Sequence, residues 1–328
     1  MGERKRRAAA LLLVAPLLLA AACSNNDNAS SNASSGGGGT TRNYTFAVVT
    51  HGAAGDAFWS VVKAGATQAG KDEGVKVSYE SDGDPQNQSQ LIDTEVSKKV
   101  DGLVVSMANP DALKEAIGKA VQAGIPVVTI NSGQDKSAEF GALEHVGQDE
   151  SVAGRGAGSK LKEAGVTHVL CVVHEAGNVG LDERCRGAAL GIGSGKLDRL
   201  QVDGNDLQSA QATIKAKLQA DKSIDGVLAL NPGVGAVTVD AVSEAGSTAK
   251  VATFDLNADV VQAIKDGKIL FAVDQQQYLQ GYLPIVFLTL YKTNLNTVGG
   301  GLPVLTGPGY VTKENAAQVA DLATKGTR

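Results

Sequence analysis

Ten polar residues stand where they could do chemistry together: His51, Asp56, Asn131, Ser132, Glu175, Asn178, Asn205, Asn231, Asp255 and Gln275. Each lies just beyond a short apolar, β-rich run, and carboxylates and carboxamides dominate the set. Planar Asp, Asn and Gln groups match the paired donors and acceptors of a polyhydroxylated ligand, often in bidentate fashion. The apolar C–H faces of such a ligand stack on aromatic rings, which Phe58 and Trp59, the chain's single Trp, can supply. Taken singly, each polar residue is equally an ordinary turn or helix cap. Their convergence with an adjacent Phe-Trp pair in an aromatic-poor chain points to capture of a polyhydroxylated small molecule.

Bond-breaking chemistry has less support. Asp56, Glu175 and Asp255 could in principle do acid–base work. However, the sequence has no nucleophile elbow and no phosphate-cradling glycine loop of the Walker kind. The four histidines are His51, His145, His168 and His174, and none has metal-ligand spacing to a Cys or a second His. No catalytic residue, metal site or cofactor is expected.

The elements that must position these residues alternate regularly. Strands are predicted at 44–50, 75–80, 102–106, 126–130, 168–173, 199–202, 226–230 and 251–254. Helices are predicted at 56–73, 85–99, 112–123, 152–163, 181–192, 209–220 and 233–244. Tyr282 to Tyr291 reads as a ten-residue buried helix. Short β-rich runs separated by longer helical ones mean parallel, doubly wound sheets. Two such units in series give an α/β chain of two similar lobes. In open sheets of this kind ligands bind beyond the carboxyl ends of the strands, where the polar set lies.

The N-terminus says where the chain works. Arg4, Lys5, Arg6 and Arg7 precede the uncharged run Ala8 to Ala22, and Cys23 follows three small residues. This is the layout of an export signal, and its apolar run is shorter than the ~20 residues a membrane-spanning helix needs. The small-small-Cys ending resembles the bacterial lipoprotein signal, although Ala20 stands where a large aliphatic residue is usual. The resemblance implies cleavage after residue 22 and lipidation of Cys23. An ordinary cleaved signal that happens to contain a Cys is the alternative. Ser24 to Thr41 has no apolar residue larger than Ala and reads as a flexible tether with a reach of roughly 20–25 Å. The net charge of −5 includes four cations lost on processing, so no basic stripe remains for nucleic acid.

Eight motifs, in order, carry a family resemblance. They are GDAFWSVVKAGA (55–66), DGLVVSMANPDAL (101–113), GIPVVTINS (124–132), VGQDESVAGRGAG (146–158), the 178–187 segment ending ERCRG, LALNPGVGA (228–236), TFDLNADVV (253–261) and VDQQQYLQGY (273–282). Together they resemble the sugar-binding proteins of bacterial ABC importers, the periplasmic-binding-protein type I group that contains the ribose- and galactose-binding proteins. The resemblance implies two doubly wound lobes joined by a three-strand hinge, with lobe 1 at 43–148 plus 276–304 and lobe 2 at 149–275 plus 305–328. It places Asp56, Phe58 and Trp59 on the first lobe's wall, closed by Asn131. Arg184 matches the arginine reaching from the second lobe, and Asn231, Asp255 and Gln275 match the remaining polar contacts. Two departures matter: Asn131-Ser132 replaces a common Asp-Arg pair, and Gly204 or Asn205 replaces a second-lobe aromatic. The first removes a positive hydrogen-bond donor and tells against a pentose; the second leaves a roomier or more polar site, compatible with a polyol or another sugar.

The implied protein is a monomeric lipoprotein on the outer face of the cell membrane that delivers a sugar or polyol to an ABC permease and its ATPase. A sensor of the same fold and a carbohydrate-active enzyme are the alternatives. A LacI-type repressor would need a helix-turn-helix where this chain has a signal and tether. Cys171 and Cys185 are expected to be oxidised in an exported chain, with two unpaired buried thiols as the alternative.

Overall fold

A computed structural model describes residues 41–53 and 55–328. The signal peptide at 1–22, the lipidation of Cys23 and all but the end of the 23–42 tether lie outside the described residues.

Two six-stranded sheets organise the chain. The first holds β1 (Thr45–Thr50), β2 (Lys76–Ser81), β3 (Gly102–Ser106), β4 (Val127–Ile130), β5 (Glu144–Gln148) and β11 (Val304–Gly307). Its order is β11-β5-β4-β3-β1-β2, parallel throughout. The second holds β6 (His168–Val173), β7 (Lys196–Gln201), β8 (Gly226–Ala229), β9 (Lys250–Phe254), β10 (Ile269–Asp274) and β12 (Gly309–Thr312). Its order is β12-β10-β9-β8-β6-β7, parallel except for β12 on β10. The chain crosses between sheets after β5, after β10 and between β11 and β12.

Strand alternation decides which helices cover each face. Phe46 and Val48 of β1 pack with α1 (Ala57–Glu73) and α10 (Gln277–Asn294). Ala47 and Val49 pack on the other face with α2 (Pro85–Ser97) and α3 (Pro110–Gln122). The second sheet repeats the scheme. Cys171 and Val173 of β6 face α5 (Glu150–Glu163) and α6 (Val179–Ile192), whereas Leu170 and Val172 face α7 (Leu207–Ala220) and α8 (Pro232–Glu244). The one-turn α4 (Gln134–Ser137) precedes β5, while α9 (Ala258–Lys265) and α11 (Ala316–Thr324) share a third cluster. No helix among the described residues is long and apolar enough to cross a membrane.

Helix starts explain most boundary differences. Asn178 caps α6 by accepting from the Gly180 and Leu181 N–H groups, so the helix begins two residues before the expected Leu181. Arg184 and Cys185 therefore lie in its second turn, not at its start. The strand expected at 199–202 is β7, which begins at Lys196 because it pairs with β6 along its whole length. The buried run at 282–291 belongs to an 18-residue helix, extended at its start by the buried polar residues Gln277 and Gln280.

Candidate ligand-binding cleft

Strand ends from both sheets meet around one small cavity. From the first sheet come His51 after β1 and Asn131 and Ser132 after β4, with Asp56, Phe58 and Trp59 at the start of α1. From the second come His174 and Glu175 after β6, Leu230 and Asn231 after β8, Asp255 after β9 and Gln275 after β10. Asn178, Leu181 and Arg184 of the α6 region complete the lining. Eleven of the twelve residues expected at the site are thus brought together, counting every one except Asn205. Asn205 is exposed and lines a neighbouring hollow instead.

Local backbone chemistry fixes several of these side chains. Asp56 Oδ1 accepts from the Trp59 N–H at 3.1 Å, which both starts α1 and turns Oδ2 into the cleft. Asn131 and Asp255, each the residue after a strand, have φ of 64° and 67°. Non-glycine residues in this left-handed region are uncommon, and Asn and Asp tolerate it best.

Arg184 is the most firmly held group. Its Nε and Nη2 donate to Glu150 at 2.6 and 2.7 Å, and Nη1 donates to the Leu230 carbonyl at 3.3 Å. The guanidinium carbon lies 4.5 Å from the centre of the Phe254 ring. Gln148, the last residue of β5, donates to Glu150 at 2.9 Å and ties this pair to the first crossing between sheets. Burial works against the Arg184 charge, but Glu150, Asp255 and Glu175 outweigh it and hold its pKa above the usual value.

Asp255 is 2 % exposed and sits 3.9 Å from Arg184 Nη1. Gln275 Nε2 donates to its Oδ2 at 3.0 Å, while Oδ1 has no hydrogen-bond partner among the described residues. Burial pushes the carboxyl up to about 7, with Arg184 and Gln275 only partly offsetting it. Burial also raises Asp56 and lowers His51, and it lowers His174 to about 4, so both imidazoles are neutral at pH 7.

The lobes touch across the cleft. Asn231 Nδ2 donates to Asp56 Oδ2 at 3.3 Å, Ser132 Oγ to Asn178 Oδ1 at 3.1 Å, and the Val179 N–H to the Ala108 carbonyl at 3.0 Å. His51 Nε2 lies 3.8 Å from Glu175 Oε2. The Trp59 ring meets His51 edge-on at 4.6 Å and Phe58 at 4.9 Å. The arrangement offers planar acceptors and donors on two sides of a small space, with an aromatic pair on one wall.

Sequence reasoning did not place His174, Leu181 or Leu230 at the site; Ser132, one of its ten polar strand-end residues, does line the cleft. That reasoning also missed Glu150, whose position after Asp149 reads as an ordinary acidic first turn. His168, Asp198 and Asp221 cluster at the opposite, amino-terminal edge of β6. Lys196 and Lys217 already lie 3.1 and 3.5 Å from Asp198, so this cluster has its cations. The sulfur atoms of Cys171 and Cys185 are bonded, joining β6 to α6 with Cα atoms 6.0 Å apart.

Comparison with known proteins places this geometry. The sequence model of the family described as "Periplasmic binding protein domain" matches residues 46–293. The xylose/arabinose-binding protein XylF of Sulfolobus acidocaldarius is 26% identical over 239 residues, which are 67% of this chain and 58% of that protein. The chain thus spans less than two thirds of XylF. The ribose import binding protein RbsB of Bacillus subtilis is 26% identical over 69% of this chain and 74% of its own. Among solved structures, a carbohydrate transporter from Acidothermus cellulolyticus 11B in complex with myo-inositol is 44% identical. It aligns with a TM-score of 0.86 over 88% of this chain and 100% of that one. A solute-binding protein from Burkholderia graminis in complex with D-arabinose, 23% identical with a TM-score of 0.75, shares the fold.

Proposed function

The chain belongs to the periplasmic binding protein domain family, and on that premise we propose that it captures a sugar or polyol between its lobes and delivers it to an ABC importer. The observation that carries the reading is the pairing of Arg184 and the open Oδ1 of Asp255 on one side of the cleft with Asp56 and Trp59 on the other. A hydroxyl can donate to each carboxylate and accept from the guanidinium, while the indole covers a C–H face. The missing arginine at Ser132 and the myo-inositol held by the Acidothermus relative both favour a cyclic polyol over a pentose.

Capture is the whole of the chemistry in this reading, with no covalent step. The protein is exported, tethered through a lipid on Cys23, monomeric, and partnered by a permease and its ATPase. Ligand contacts to both lobes favour the closed arrangement, which the permease reads.

A thermal-shift screen over pentoses, hexoses, alditols and inositols tests this directly. A solute at 100 times its Kd adds ~2.7 kcal/mol of stability, so at least one cyclic polyol or sugar should raise the melting temperature by several degrees. The reading fails if none does. Hydrolysis products from candidate glycosides would instead indicate an enzyme.

A further inference from the structure

The cleft continues past its first cavity. Asp56 and Asn231 also line a second, larger and partly open hollow, and the side-chain hydrogen bond of 3.3 Å between them lies on the wall the two spaces share. Both partners can exchange that bond for a ligand hydroxyl. Small residues keep the far side open. Gly204 or Asn205 stands where the resemblance expects an aromatic, and a Cβ on Gly204 would come within 3.0 Å of the His174 ring. Gly233 and Ala236 on α8 add no bulk.

The lining has a defined chemistry. Asn205 and Asn257 offer amide donors and acceptors, and Leu207, 38% exposed, offers an apolar face. Charge is one-sided: Asp56 and Asp259 line the hollow and, among the described residues, no Lys or Arg does. Four helices, α1, α7, α8 and α9, begin around it. Side chains already cap each start: Asp56 accepts from the Trp59 N–H, Asp206 from Ser209, Asn231 from Gly233 and Val234, and Asn257 from Val260. An anionic substituent would meet two carboxylates and no lining cation, whereas a neutral hydroxylated ring finds amides on its rim and Leu207 on its face.

We propose that this second hollow is a subsite for a neutral glycosyl substituent, so that the protein takes O-glycosides of its polyol or sugar with one ring in each hollow. The inference rests on the proposed function, and the probes separate the two. Calorimetry would compare myo-inositol with the set of its mono-O-galactosides and its monophosphates. At least one galactoside should bind within tenfold of myo-inositol, and every phosphate should bind more than tenfold weaker than that galactoside. Ala236→Trp and Ala57→Trp, which fill the second hollow without touching the first, should each weaken that galactoside at least tenfold and leave myo-inositol within threefold.

The subsite is overturned if myo-inositol binds but every galactoside is more than tenfold weaker. It is also overturned if both Trp variants bind the galactoside like wild type. A phosphate binding as tightly as the galactoside overturns the neutral class. If myo-inositol and the free sugars and alditols of the screen all fail to bind, the proposed function itself falls.

Discussion

On the proposed function, Asp255 serves binding at the expense of stability. Its ordinary pKa of 3.8 is moved to about 7 by burial. Between those values the native chain holds a proton that the unfolded chain has released. Stability from this group is therefore lost as pH rises from about 4 to about 7, and is level above that. Asp255→Asn removes the cost, so its melting temperature should exceed the wild type's, by more at pH 8 than at pH 5; a gain equal at both pH values would contradict the buried charge. The same change should weaken solute binding at least roughly tenfold, the low end of what losing a partner in a buried charged hydrogen bond costs. Arg184→Ala should do the same for binding but lower stability, because Glu150 is then left buried and unpaired. Gln122→Ala, exposed at the end of α3, is the control for both. If the Asp255 and Arg184 variants stay folded and bind like that control, the site is misassigned.

The helix pair α5–α6 does the positioning that Arg184 needs. Gly154 of α5 lies against the Arg184 backbone so closely that a Cβ would run into the carbonyl. Gly154→Ala should cost about 1–3 kcal/mol despite the better helix propensity of Ala, and should weaken binding as well. Gly118→Ala in α3, where a Cβ meets nothing within 4 Å, should be neutral or stabilising by up to about 1 kcal/mol. Urea denaturation of the two variants separates a packing requirement from a propensity effect. A second brace is the Cys171–Cys185 link, which closes a loop with a sequence separation of 14. Both thiols should resist alkylation in denatured, unreduced protein, and reduction should cost about 3 kcal/mol. These elements were unevenly legible in the sequence. Strands such as Val169–Val173 and the capped starts of α1 and α8 announce themselves through apolar runs and Asp or Asn before a helix. The cleft residues followed, because they stand at strand ends. β5 escaped notice because Glu144, His145 and Gln148 interrupt its apolar pattern; those polar side chains are buried by packing at the crossing, which no local pattern encodes. Glu150 was hidden for the same reason, since its partner lies 34 residues away. β10 is different: Ile269 to Val273 is an unbroken apolar run before Asp274 and was as legible as the other strands.

At the scale of the whole molecule, the proposed capture by two lobes and the proposed attachment to a surface are separable. Cys23→Ala should release the protein from membranes without changing solute affinity, measured by fractionation and calorimetry; equal membrane partition of both forms would count against the lipid anchor. Trp59, buried at the cleft between Phe58 and His51, gives closure an optical readout, since solute binding should shift the emission of this lone indole. The backbone at the cleft sets a different kind of limit. Asn131 and Asp255 stand at matching strand ends of the two lobes, both with left-handed φ, whereas Asp56, Asn178 and Asn231 have ordinary negative φ. Retargeting the protein to a new solute therefore has an uneven alphabet. The first two positions favour Asn, Asp and Gly, because other side chains are strained in the left-handed region. New specificities, whether evolved or engineered, are written most readily at the others and at Ser132, with one polar letter in each lobe kept as the frame of a library.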